Sequence, residues 1–173
     1  MIIRHLVYIV TGAPGSGKST ALQALMCRSS RYIAFDMDWL LAPASALAGR
    51  DIRTDASAWP PYNALWLDVL YAVHNNGRVA VLFAPVNEAD FPTKELPALC
   101  GGIEWLLLDC PDAVRRVRLA ARPGWTDAMM EEVEEDARVL RETIPRRINT
   151  EDHAPDVVAD LILEWLDQVD GQT

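Results

Sequence analysis

Lysine is nearly missing from this chain. Of its 16 basic residues only Lys18 and Lys94 are lysines, and 25 acidic residues outweigh the basic ones to give a net charge of −9. A chain so poor in positive charge is not a sequence-independent nucleic-acid binder, which must neutralise phosphates with Lys and Arg. Nor is it a polybasic membrane-surface protein. Cysteine is sparse as well: Cys27, Cys100 and Cys110 are scattered, odd in number and free of Cys-x-x-Cys spacing. That excludes a disulfide framework or a zinc site and fits packing residues in a reducing cytoplasm. No apolar run approaches the roughly 18 residues of a membrane-spanning helix. The apolar start lacks a small-residue cleavage site and does not read as a signal peptide. Repeats, low-complexity tracts and linkers are lacking too.

What remains is a sequence of 173 residues, half of them apolar, enough for one domain over 1–173 with a packed core. Short apolar runs alternate with helical patterns. Leu6–Val10, Tyr32–Phe35, Val79–Phe83 and Trp105–Leu108 read as buried strands, with a short fifth at Arg147–Asn149. Continuous apolar strands are buried on both faces, as in a parallel sheet between helices. Tyr62, Leu65, Trp66, Val69 and Val73 recur at helical spacing. So do Met130, Val133, Ala137, Leu140 and Ile144, opposite a charged side where Glu134 and Arg138 are spaced for an i,i+4 pair. Val158 to Val169 form a last amphipathic helix behind Pro155. The alternation predicts a three-layer α/β fold.

Residues 12–20 read Gly-Ala-Pro-Gly-Ser-Gly-Lys-Ser-Thr, the G-x-x-x-x-G-K-[ST] phosphate-loop pattern, between a buried strand and a helix. Glycines let the backbone turn around a phosphate so that successive N–H groups face its oxygens. The helix that follows directs its positive end at the same anion. In this spelling Gly12, Ala13, Pro14, Gly15, Ser16, Gly17, Lys18, Ser19 and Thr20 form the nucleotide cradle. Lys18 serves the β- and γ-phosphates, and Ser19 places a hydroxyl on Mg²⁺. A plain glycine turn would have no need of the lysine.

Asp36 and Asp38 follow the second strand, at the end of a parallel sheet where ligands bind. One carboxylate can hold Mg²⁺ and the other can orient and deprotonate an acceptor hydroxyl. The competing reading has Asp38 capping a helix that starts at Trp39 and Asp36 closing the strand. A helix opened by Pro111-Asp112 carries Arg115, Arg118 and Arg122 on one face and breaks at Pro123-Gly124. Such a stripe suits an arm closing over phosphates, although Arg115 and Arg116 also fit a solvated face.

Together these signals resemble the P-loop small-molecule and nucleoside-monophosphate kinases, the group of shikimate, gluconate and chloramphenicol phosphotransferase-type enzymes. Asp36-Met37-Asp38 looks like the Asp-x-Asp of shikimate kinases, and Arg118 to Arg122 looks like the Arg-x-x-x-Arg beside the lid. The loop at Ile148-Asn149-Thr150 looks like the adenine-side loop. The resemblance implies a five-stranded parallel sheet in the order 2-3-1-4-5, with ATP and Mg²⁺ as cofactors. Ser19 and Asp36 would serve the metal and Asp38 would be the base. Arg118 and Thr150 would lie on the adenine side, and Arg122 would reach phosphates across a short lid near 122–126. Arg138 is a further, weaker phosphate contact. The sequence departs from the group in three places. The third strand runs into Ala84-Pro85-Val86 without an aspartate. The Gly-Gly-Gly loop of shikimate kinases and the Asp-Gly-Phe-Pro-Arg of adenylate kinases are missing as well.

The acceptor is then expected between an insert at about 39–76 and the loop Pro85–Phe91. Asp38, Trp39, Arg53, Trp59 and Tyr62 are its candidate contacts, and Glu88 and Asp90 fit either the mouth or a solvated loop. Trp66, Trp105 and Trp165 read as core, and His74 and His153 as structural. Aromatic rings and carboxylates beside few cations suit a neutral or cationic hydroxyl compound. The expectation is an ATP-dependent phosphotransferase acting on a hydroxyl of a small molecule, a monomer or homodimer without nucleic-acid or membrane partners. A nucleoside or nucleotide kinase is the alternative, and a nucleotide-binding switch or adaptor is the alternative from another class.

Overall fold

The structure is a computed structural model that describes residues 5–28, 31–91 and 100–171. Lys94 lies outside the described residues, as does the side chain of Cys100. Five parallel strands form one sheet in the order β2-β3-β1-β4-β5: β1 His5–Thr11, β2 Tyr32–Asp36, β3 Val79–Ala84, β4 Cys100–Asp109 and β5 Arg147–Asn149. The order matches the one that the resemblance implied. β4 begins five residues before the apolar run that marked it, because it pairs with β1 along that strand's whole length, from His5 opposite Cys100 to Thr11 opposite Leu107.

Alternation along the strands divides the core. Tyr8, Val10, Val81 and Phe83 face the helices α1, Lys18–Met26, and α6, Pro155–Asp170, where Leu22, Leu25, Ile162 and Trp165 meet them. Val7, Ile9, Ala80 and Leu82 face the other way, toward α3, Trp59–Asn75, with Trp66, Leu67 and Leu70. Farther along that face Leu107 meets Leu119 of α4, Asp112–Ala120, and Met130, Val133 and Ala137 of α5, Asp127–Thr143. Helices on both faces explain why the strands carry no polar alternation. The insert holds one helix that periodicity did not reveal, α2, Leu41–Ala48, ended by the left-handed Gly49.

Two side-chain pairings differ from expectation. Glu134 is bound by Arg116 of α4, which ties α5 to its neighbour, and Arg138 pairs instead with Glu135 and Glu142. Cys27 is exposed rather than packed. Trp165 is core, whereas Trp105 is only partly buried, edge-on to Phe91.

Candidate active site

β1 delivers the phosphate loop to the carboxyl edge of the sheet, and α1 starts at Lys18 with the left-handed Gly17 as its cap. The loop lies close against the rest of the molecule. A Cβ on Gly12 would stand 2.4 Å from the Leu108 carbonyl oxygen, so only glycine lets β1 and β4 pass here. The Lys18 ammonium crosses the loop and donates to the carbonyls of Gly12 and Ala13. Burial pushes its pKa down to about 8. The nearby Arg115 charge adds to this, and Asp36 and Asp38 oppose it. Arg122 also acts on Lys18, so the three other groups of the expected reaction centre all lie within electrostatic reach of Lys18.

Beside the loop, β2 ends at Asp36, and a short 3-10 turn, Met37–Leu40, follows at once. The cap is Asp36, not Asp38: its Oδ1 accepts the Asp38 N–H at 2.9 Å. This fixes the second aspartate in place and leaves the Asp38 carboxylate without a backbone partner among the described residues. Partial desolvation raises the Asp38 pKa above its ordinary value, and Asp36 adds to the shift. Arg53 and Lys18 oppose it. A carboxylate held reluctantly ionised is a better proton acceptor.

Behind the loop, side chains hold its carbonyls. Arg115 donates to Pro14 at 2.9 Å, Arg118 to Gly15 at 3.1 Å, and the Thr150 hydroxyl to Ser16 at 2.8 Å. Arg118 also reaches the Thr150 hydroxyl and carbonyl. Arg115 does not lie on a solvated face: it is 1 % exposed. It shares a side of α4 with Leu119, and that side lies against the loop. A cavity of about 460 Å³ opens between the loop and the start of α6, lined by Gly15, Gly17, Thr20, Arg118, Arg122 and Thr150. His153, Pro155 and Val158 also line it. His153, expected to be structural, stands at the rim of this cavity just ahead of α6. Its position three residues beyond Thr150 was the available signal. A second cavity of about 480 Å³ lies by Asp109, Asp112 and Arg141; its carboxylates are already paired with Arg115 and Arg141.

α4 stops at Ala120, and the segment up to Thr126 carries Arg122, exposed and without a side-chain hydrogen bond or ion pair among the described residues. Thr126 accepts the Met129 N–H and starts α5. The segment expected to form a short lid thus lies between two defined helix ends.

On the side where the acceptor is expected, Trp39 is exposed, Trp59 is half-buried, and Arg53 is exposed near Asp38. The expectation that Tyr62 faces the acceptor gives way. Tyr62 is buried, and its hydroxyl donates to the Met37 carbonyl, so it supports the turn bearing Asp38 from below. Asp90 accepts the Asn87 N–H in a capping box and its carbonyl accepts from Asn63. It closes the loop instead of lining a mouth. Arg50 is paired with Asp55 at 2.7 Å. Arg138, bound to two glutamates on its own helix, points to no shared site.

The profile of the viral superfamily 1 RNA helicase core domain matches residues 8–85, less than half of the chain. No curated protein matches by sequence. Solved structures match over nearly the whole length. Shikimate kinase from Acinetobacter baumannii in complex with shikimate is 16 % identical, covers 95 % of this chain and 94 % of its own, and gives a TM-score of 0.61. A gluconokinase from Sinorhizobium meliloti 1021 is 17 % identical, with 99 % and 98 % covered and a TM-score of 0.62. The Deinococcus radiodurans tunicamycin resistance protein is 21 % identical, with 94 % and 95 % covered and a TM-score of 0.64. At these identities the likeness is one of fold alone.

Proposed function

We propose that this protein is an ATP-dependent phosphotransferase that moves the γ-phosphoryl group to a hydroxyl of a small molecule. The observation that carries the reading is the convergence of Lys18, Asp36, Asp38 and Arg122 at one end of the sheet. Lys18 would bind the β- and γ-phosphates, exchanging the loop carbonyls it now contacts for phosphate oxygens. Asp38 would take the proton of the acceptor hydroxyl as its oxygen bonds to the γ-phosphorus. The bond to the β–γ bridging oxygen breaks, and ADP leaves. Arg122 would approach the transferring group from the lid. Positioning and charge carry such a reaction.

The donor set fits magnesium. The Ser19 hydroxyl is exposed at the start of α1, and Asp36 Oδ2 makes no hydrogen bond among the described residues. Among those residues no cluster of three or more His, Cys, Asp or Glu would hold a metal on its own. Mg²⁺ is commonly held by one or two protein oxygens together with phosphates, and it would neutralise charge developing on them. The exposed Trp39, next to Asp38 in sequence, and the half-buried Trp59, packed on Tyr62, would suit a neutral or cationic acceptor with an apolar face.

The test is ATP consumption with Mg²⁺ over a panel of hydroxylated metabolites, antibiotics and nucleosides, with Lys18→Ala as the blank. Acceptor-dependent turnover by the wild type alone is expected. Turnover confined to the nucleosides would select the nucleoside kinase instead. Nucleotide binding without any acceptor-dependent turnover, together with a partner bound in only one nucleotide state, would replace the enzyme by a switch.

A further inference from the structure

Arg115 is the largest charged side chain in the core and has no part in the chemistry above. Its Nη1 donates to Pro14 O at 2.9 Å, and its Nη2 to Asp109 Oδ1 at 2.8 Å and Cys110 O at 3.3 Å. An ion pair joining β4 to α4 would account for part of this, but Asp109 and Asp112 are each held by Arg141 at 2.7 Å. Neutralising those carboxylates does not require Arg115 alone. What Arg115 alone supplies is the 2.9 Å donor to the Pro14 carbonyl.

The orientation of that carbonyl has a consequence. The Pro14–Gly15 peptide is trans, and in a trans peptide the C=O and N–H point in opposite directions. Fixing the Pro14 oxygen toward α4 turns the Gly15 N–H away from α4. Pro14 has no N–H of its own, so Gly15 is the donor that this stretch of loop can offer. The contact is close. A Cβ on Gly15 would sit 3.1 Å from Arg115 Cγ and 3.2 Å from Leu119 Cγ, and the residue has φ +82°. The loop therefore rests on the Arg115 stem with no room for a side chain between them.

We propose that Arg115 is a positioning residue: from behind the phosphate loop it holds the Pro14 carbonyl and so aims the Gly15 N–H at the phosphates. This rests on the nucleotide-binding reading above. Arg115 touches no ligand in this role. It keeps a backbone donor aimed before the anion arrives, so that binding need not reorder the loop.

The experiment compares wild type, Arg115→Met and Arg115→Lys in binding ATP, tripolyphosphate and adenosine, with amide NMR of Gly15 and a thermal melt of each protein. Methionine keeps most of the stem and removes every donor. It should weaken ATP and tripolyphosphate binding by about ten- to a hundredfold, the range of one charge-assisted hydrogen bond. Adenosine binding should be unchanged and the Gly15 amide resonance should move. Lysine, with one donor in reach of Pro14, should restore part of the phosphate affinity. Should Arg115→Met not fold, Arg115→Met/Asp109→Asn removes the carboxylate left behind, and the same ratios are read on it. Undiminished tripolyphosphate binding in a folded variant would overturn the inference. So would an equal loss of adenosine and tripolyphosphate, which marks general damage. A wild-type protein that binds neither ATP nor tripolyphosphate would overturn the nucleotide reading and this one with it.

Discussion

Lys18 should titrate far below an ordinary lysine. Burial, with Arg115 beside it, lowers its pKa from 10.5 to about 8. At about 1.36 kcal/mol per pH unit this is about 3 kcal/mol of work in keeping the ammonium charged. The sign follows from linkage. Below pH 8 the lysine is charged in both folded and unfolded chains, and the fold bears the full cost. Between 8 and 10.5 the unfolded chain holds more protons than the folded one, so this group makes stability rise with pH. A phosphate would supply the missing counter-charge and raise the pKa again, so at pH 9 nucleotide binding should take up close to one proton. The perturbation is therefore a pH titration, alone and in Arg115→Met. The assay is unusually clean because the chain has two lysines. Selective ¹³C-lysine labelling gives two signals, and Lys18→Met identifies one of them. One signal should turn over near pH 8 and move upward when Arg115, a like charge, is removed. Calorimetry in buffers of different ionisation enthalpy reads the proton uptake. A Lys18 signal with a midpoint above pH 10 in the free wild-type protein would refute the reasoning.

Other outcomes follow from single contacts. Asp38→Asn should abolish acceptor-dependent turnover and keep nucleotide binding. Because the folded state raises the Asp38 pKa, its ionised carboxylate opposes folding above that pKa, so the same variant should melt higher at pH 7. Full activity would remove Asp38 from the base role. Gly12→Ala drives a methyl against the Leu108 carbonyl and should cost about 2 kcal/mol or more in urea unfolding; a wild-type midpoint would contradict the close approach of β1 and β4. Tyr62→Phe should cost about 1 kcal/mol of stability, the usual value of a buried hydrogen bond, with an unchanged KM for the acceptor. A raised KM without lost stability would return Tyr62 to the acceptor face.

The sheet was legible because β1 to β4 each contain an unbroken apolar run, and because the phosphate-loop spelling fixes which strand comes first. Helix α2 was not: Leu41–Ala48 is almost wholly apolar or small and has no polar face to set a period. At the site, Lys18, Asp36 and Asp38 could be read from spacing along one chain segment. Arg115 could not, since an arginine at helical spacing from Arg118 and Arg122 reads as part of a cationic stripe. The opposing clue was Leu119, four residues on and on the same face, which marks that face as inward. Tyr62 failed for the related reason that an aromatic on an amphipathic helix has the same pattern whether its hydroxyl is aimed at a ligand or at the Met37 carbonyl. Which of Glu134, Glu135 and Glu142 each arginine selects depends on the neighbouring helix, and that is not local information.

The nucleotide-binding motif is contiguous, but what holds its shape is synthesised late. The carbonyls of Pro14, Gly15 and Ser16 are bound by residues 115, 118 and 150, more than 100 positions downstream. A nascent chain would therefore emerge with its whole phosphate-loop spelling and none of these three anchors. Closing such distant contacts is slow, and a chain awaiting them exposes unfinished sheet edges. A fragment ending after β3 carries every residue of the motif, yet competence to grip a phosphate should appear only once α4 and the turn after β5 have docked. If the proposed nucleotide binding holds, a partly made chain would carry the spelling of the site without its grip.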